Sequence, residues 1–233
     1  MIIYVNGDSH AAAAEAVNSF SWAQDDGLFW GMGKRPHPDN ERASFGCELA
    51  NHYHAVLWCD AQAGCSNTRI MRTTREWIDR NQSQLKDTFM VIQWSTWERE
   101  EWWHNGHDFQ VNASGIDHVP VELQDQYKQF VANIDWNQCK EQAHNDIWEF
   151  HTELKQSGVR YVMFNGNNHF AGLPEYNWGA NYMDPYSEQG TYNSVLRNNG
   201  FQPVAPESWH FDANAHCFWS EYLLQYINKH NLV

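Results

Sequence analysis

Short apolar runs alternate with amphipathic stretches along the whole chain. Ile2, Ile3, Tyr4 and Val5 form an apolar, β-branched run of the kind that makes a buried strand. The stretches His54 to Asp60 (HAVLWCD), Thr88 to Trp94 (TFMVIQW) and Val159 to Phe164 (VRYVMF) repeat that pattern. Between them the pattern is helical. Ala11 to Val17 and Asp39 to Leu49 read as helices, and Asn67 to Asn81 places Ile70, Thr74, Trp77 and Ile78 on one face with Ser66 or Asn67 as cap. Helical spacing also runs through Glu122 to Ile134 and Gln138 to Gln156, where Gly158 supplies the stop. The final helix starts near Asp212 and buries Trp219, Tyr222, Leu223, Tyr226 and Ile227.

Strands separated by helices predict a parallel sheet covered on both faces. The expected fold is α/β: a flavodoxin-like, three-layer α/β/α sandwich with a mostly parallel five-stranded sheet in the order 2-1-3-4-5. The fifth strand would run from Phe201 to Ala205, and Pro203 would confine it to an edge. Residues 1–233 read as a single domain. Two stretches, near 97–121 and 168–192, break the alternation and read as loop insertions. Both leave carboxyl ends of strands, so they would overhang one rim, and loops of that length are usually functional.

Composition narrows the classes of function. The formal charge of −14 disfavours a phosphate-binding basic face and an anionic membrane surface. No segment is long and apolar enough to span a bilayer, and a strand at residue 2 replaces the basic start of a leader peptide. The five cysteines, Cys47, Cys59, Cys65, Cys139 and Cys217, show no CxxC spacing, which suits reduced thiols and a cytoplasmic setting. The thirteen Trp and ten Tyr exceed what a core needs and suit a surface that binds rings or sugars.

The chemistry concentrates at the two ends. Asn6-Gly7-Asp8-Ser9-His10 closes the first strand, so Ser9 falls at the carboxyl end of a strand, where open α/β sheets keep their ligands. A helix opening there would aim its amides at the serine's neighbour, and Ser9 itself could serve as helix cap. Glu207-Ser208-Trp209-His210 sets an acid-xx-His pattern just ahead of the last helix. In this order, with Gly64 after the second strand, these segments resemble the blocks of the SGNH (GDSL-type) hydrolases. The resemblance implies ester hydrolysis through an acyl-enzyme on Ser9, with His210 as base, Glu207 orienting it, and no cofactor. It places the amides of Ser9 and Gly64 in the oxyanion hole. The family's Gly-x-Asn-Asp block is replaced by Gln93-Trp94-Ser95-Thr96; Ser95 stands where the asparagine would be, and a hydroxyl can donate one hydrogen bond. His216 falls on the apolar stripe of the last helix and reads as a core residue; the competing assignment pairs it with Asp212.

Trp94, Trp97, Trp102 and Trp103 surround Arg99. One reading is a substrate platform in which Trp94 and Trp97 stack on a sugar and Arg99 grips a polar or anionic group. The other is a packed loop in which Arg99 pairs with Glu98 or Glu101. The first leans the substrate toward an O-acyl carbohydrate. A non-catalytic glycan-binding SGNH relative is the alternative. A second alternative is a metal-dependent phosphoesterase, because Asp8-x-His10 and Asn167-Asn168-His169 resemble calcineurin-like motifs, although the Gly-Asp-xx-Asp segment is missing. His104-x-x-His107-Asp108 also has ligand-like spacing, in a polar loop. The expected partner is a small-molecule or carbohydrate ester, with no nucleic acid, membrane or metal, and oligomeric state is left open.

Overall fold

The computed structural model describes residues 1–27, 33–116 and 119–233. Its strands are β1 (Ile2–Asn6), β2 (Val56–Cys59), β3 (Thr88–Trp94), β4 (Glu100–His104), β5 (His107–Val111) and β6 (Arg160–Asn165). Its α-helices are α1 (Pro38–Arg42), α2 (Phe45–His52), α3 (Asn67–Arg80), α4 (Gln124–Ala132), α5 (Trp136–Ser157), α6 (Tyr192–Asn198) and α7 (Ala213–His230). Four strands form a parallel sheet in the order β2-β1-β3-β6.

The alternation of side chains along each strand decides the layers. Ile3, Val5, Phe89, Val91, Val162 and Phe164 share one core with Leu49 of α2, Leu196 of α6 and Trp219, Leu223 and Ile227 of α7. Tyr4, Met90, Ile92, Trp94, Tyr161 and Met163 share the opposite core with Ile70 and Trp77 of α3 and Ile147, Phe150 and Leu154 of α5. This is the expected α/β arrangement with helices on both faces. Among the described residues no helix is long and apolar enough to cross a membrane.

Four expectations are corrected. The fifth strand does not form: Pro203 makes only an isolated antiparallel bridge with Phe211, and proline has no N–H with which to extend a ladder. Ala11 to Val17 is a succession of turns, not a helix. Ala13 and Glu15 take left-handed φ values of 51° and 63°, and the Ala14 amide reaches back to the Ser9 carbonyl at 2.9 Å. Ala11 to Ala14 are wholly buried, so tucking small side chains beside the sheet outweighs alanine's helix propensity. The stretch 39–49 divides into α1 and α2, with Ser44 capping the second through the Cys47 amide.

The insertion near 97–121 is not simply a loop. It contains the antiparallel hairpin β4–β5, with His104 opposite His107. Asn105 and Gly106 both have positive φ, 50° and 81°, the requirement of a tight two-residue hairpin turn and the reason Asn-Gly is favoured there. Trp102, Phe109 and Val111 give the hairpin its own small core against Tyr127 of α4. The insertion at 168–192 packs Phe170, Trp178 and Tyr182 into the core beside α5.

Candidate active site

From β1 the chain first adds β2 on one side and then crosses to β3 and β6 on the other. The carboxyl ends of β1 and β3 therefore flank the point where strand order reverses, the usual ligand position in such sheets. The turn after β1 is tightly fixed. A Cβ on Gly7 would lie 2.7 Å from both Ala11 Cβ and Gln93 Oε1, so only glycine fits while Gln93 Oε1 accepts the Asp8 amide at 3.0 Å.

Asp8 is buried and braces this turn. One carboxylate oxygen accepts the His10 amide at 3.0 Å, and the other accepts Ser95 Oγ at 2.9 Å and Arg99 Nη1 at 3.0 Å. Burial alone would raise its pKa, but His10, Arg99, the amide and the Ser95 hydroxyl outweigh it and hold the carboxyl below its usual value. The arrangement corrects two expectations. Ser95 gives its single hydroxyl proton to Asp8 and its amide to Asn67 Oδ1, so neither is left for an oxyanion. Arg99 pairs with Asp8, not with Glu98 or Glu101; Glu101 is held by Arg72 at 2.6 Å.

A cavity of about 750 Å³ opens on this rim, lined by Ser9, His210, Glu15, Arg99, Asn167 and Trp209 among others. His210 Nδ1 lies 2.9 Å from Glu15 Oε2, and Ser208 Oγ donates to the same oxygen at 2.7 Å while accepting the His210 amide at 3.0 Å. Glu15 thus stands where Glu207 was expected. Glu207 is exposed at the cavity's edge and makes no bond to His210. Burial would raise the Glu15 pKa, but the bonds from Ser208 and His210 outweigh it and lower it. The signal for Glu15 was present in the sequence: it is the sole charged residue in the Ala11 to Val17 run, six positions beyond the serine.

Ser9 and His210 share the cavity, but no hydrogen bond joins them. His10 packs edge-on against His210 with ring centres 5.7 Å apart, and its Nε2 meets Asn167 Nδ2 at 3.1 Å. Burial pushes the His10 pKa down to about 4 against the pull of Asp8, so its ring is neutral at pH 7.

The remaining expected residues scatter. Gly64 does not line the cavity. Trp94 is wholly buried in the α5-side core, and Trp97 stacks on Phe170 at 4.7 Å, so neither can form a platform beside Ser9. Among the described residues the tryptophan at the rim is Trp209, 62% exposed, with the Arg197 guanidinium 5.6 Å from its ring centre. Asp212 caps α7 through the Ala215 amide, and His216 lies buried and stacked on Phe45, so they form no pair. His216→Ala is expected to lower stability by roughly 1–3 kcal/mol in urea unfolding while leaving His210 in place.

Among the described residues no three His, Cys, Asp or Glu side chains gather as a metal site would require. His169 Nδ1 accepts the Ala171 amide, and Asp108 pairs with Lys34 at 2.7 Å.

No family model and no curated protein matches the chain. Solved structures of similar shape include a carbohydrate esterase whose active site displays divergent catalytic and non-catalytic binding functions (13% identity, 97% of this chain and 68% of that one, TM-score 0.43). A second is a carbohydrate esterase family 2 enzyme plus carbohydrate binding domain from Corynascus thermopiles (Myceliophthora fergusii), at 11% identity, 98% and 65% coverage and TM-score 0.46. A third is a mutant acetyl-xylooligosaccharide esterase from Geobacillus Stearmophilus, at 10% identity, 97% and 93% coverage and TM-score 0.44.

Proposed function

We propose that the protein is a serine esterase of SGNH type that hydrolyses a carboxylic ester through an acyl-enzyme on Ser9. The observation that carries this reading is the His210–Glu15 pair facing the cavity that holds Ser9 at the strand switch point. Glu15 engages Nδ1, which leaves Nε2 as the nitrogen for proton transfer. In the reaction His210 Nε2 takes the Ser9 proton as Oγ attacks the ester carbonyl, and Glu15 stabilises the imidazolium that forms. His210 then protonates the departing alcohol. Water, deprotonated by the same nitrogen, releases the acid and restores Ser9. Among the described residues the Ser9 amide makes no hydrogen bond, which makes it one oxyanion donor; the Asn167 side-chain amide, in the same cavity, replaces Ser95 as the second.

The exposed Trp209 ring at the rim and the Asn167 and Asn168 amides suit a sugar ring carrying the acyl group. A second reading, a glycan-binding relative without turnover, draws support from the Ser95 hydroxyl being committed to Asp8. Labelling separates the two. A fluorophosphonate probe is expected to modify Ser9 in the native protein, and Ser9→Ala and His210→Ala are each expected to abolish labelling. A folded protein that binds acylated oligosaccharide but neither labels nor cleaves it would establish the second reading instead.

A further inference from the structure

Behind the wall of the Ser9 cavity lies a separate cleft of about 550 Å³, bounded by α3, β4, α4 and α5. That volume is within the range of small-ligand sites. Trp97, Trp102 and Phe130 supply its apolar surface. Among the described residues four carboxylates line it, from Glu98, Glu100, Asp135 and Asp146, and no Lys, Arg or His does. Three of these acids already have work in the fold: Glu100 accepts the Trp102 indole N–H, Asp135 caps α5, and Asp146 accepts Gln142.

Glu98 is different. It is only 8% exposed, and among the described residues its Oε2 has no hydrogen-bond partner and no cation pairs with it. A carboxylate withdrawn that far from water normally has a partner, because leaving it unpaired costs several kcal/mol. The acids do not converge as metal ligands do. Dispersed negative charge between aromatic rings matches a large, soft cation, which gains from both the carboxylate and the ring faces.

We propose that this cleft is a second ligand site, which binds an organic cation, an ammonium group on an apolar or aromatic body, with Glu98 as its counter-ion. The proposal does not depend on the esterase reading. Glu98 also lines the Ser9 cavity, so the cation would meet the wall between the two chambers.

Calorimetric titration of the intact protein at low salt tests this, with benzyltrimethylammonium as probe and benzyl alcohol as its uncharged counterpart. One site for the ammonium is expected, with benzyl alcohol binding at least about tenfold more weakly. Glu98→Gln is expected to weaken the ammonium by at least about tenfold. Gln138→Arg, at an exposed position of the same cleft, introduces a positive charge without disturbing the core and should weaken it similarly. Trp209→Ala, at a residue that lines the Ser9 cavity and not this cleft, should leave affinity within about twofold. The proposal fails if the two probes bind alike, or if no heat is seen up to about 10 mM. It fails equally if Trp209→Ala removes binding while Gln138→Arg does not, since the cation would then sit beside Ser9.

Discussion

Turnover of a small acyl ester is expected to fall by about four orders of magnitude when Glu15 becomes Gln, the loss seen when the orienting carboxylate of a serine-protease triad becomes an amide. Glu207→Gln should leave turnover within about twofold, as expected of an exposed surface substitution. The contrast follows from the geometry. Glu15 Oε2 lies 2.9 Å from His210 Nδ1, so it fixes the ring's tautomer and offsets the charge His210 acquires when it takes the Ser9 proton. An amide of the same shape can offer Nδ1 the wrong partner and offers no charge. Glu207 lies at the cavity's edge and touches neither nitrogen of His210. Because Glu15 is part-exposed, its loss should hardly move the unfolding midpoint, which separates a catalytic defect from a folding one. Kinetic constants and urea midpoints measured on the same preparations decide the matter. A silent Glu15→Gln beside a crippled Glu207→Gln would return the acid-xx-His assignment.

The sheet was legible because a buried parallel strand has few disguises. TFMVIQW reads as a mostly apolar run, and it is buried at every position of β3, Thr88 and Gln93 included. The helices α3, α5 and α7 announced themselves through caps and apolar spacing, and Gly158 closes α5 in the left-handed conformation as its place in the pattern predicts. The alanine run misled for a definite reason. Propensity favours a helix there, but the decisive terms are tertiary: wholly buried side chains, and two left-handed residues that swing Glu15 toward His210. A partner 195 positions away along the chain leaves no local trace. Trp94 and Trp97 show the same limit from the other direction. Sequence places tryptophans near a rim, but only packing decides which become core and which, like Trp209, remain outside. The hairpin β4–β5 was within reach, since Asn105-Gly106 between two strand-forming runs is its direct signal.

The largest effect on stability is expected from acid, well above the range where carboxylates titrate. His10 and His216 are buried and neutral, with pKa values depressed to about 4 and about 3 by burial, against an ordinary value near 6.5. The sign follows from proton counting. Above about pH 6.5 neither the folded nor the unfolded imidazoles carry protons, and their contribution is fully present. As pH falls below that, the unfolded chain binds protons that the folded one excludes, so stability is lost progressively toward pH 4. Between about pH 6.5 and pH 4 each histidine contributes roughly 3 kcal/mol to that loss, and two together rival the total stability of an ordinary domain, about 5–15 kcal/mol. Asp8, whose carboxyl is held below its usual value, adds a further loss in the same direction at still lower pH. Urea unfolding at intervals from pH 7.5 to pH 4.5 should therefore show a steep decline beginning near pH 6.5. His216→Leu removes one of the two groups while preserving an apolar contact with Phe45, so its decline should be shallower by about one proton, even if it starts from a lower stability at pH 7.5. Equal slopes in the two proteins would mean that His216 takes up a proton in the folded state, and the buried, neutral ring described between Phe45 and Tyr192 would be wrong.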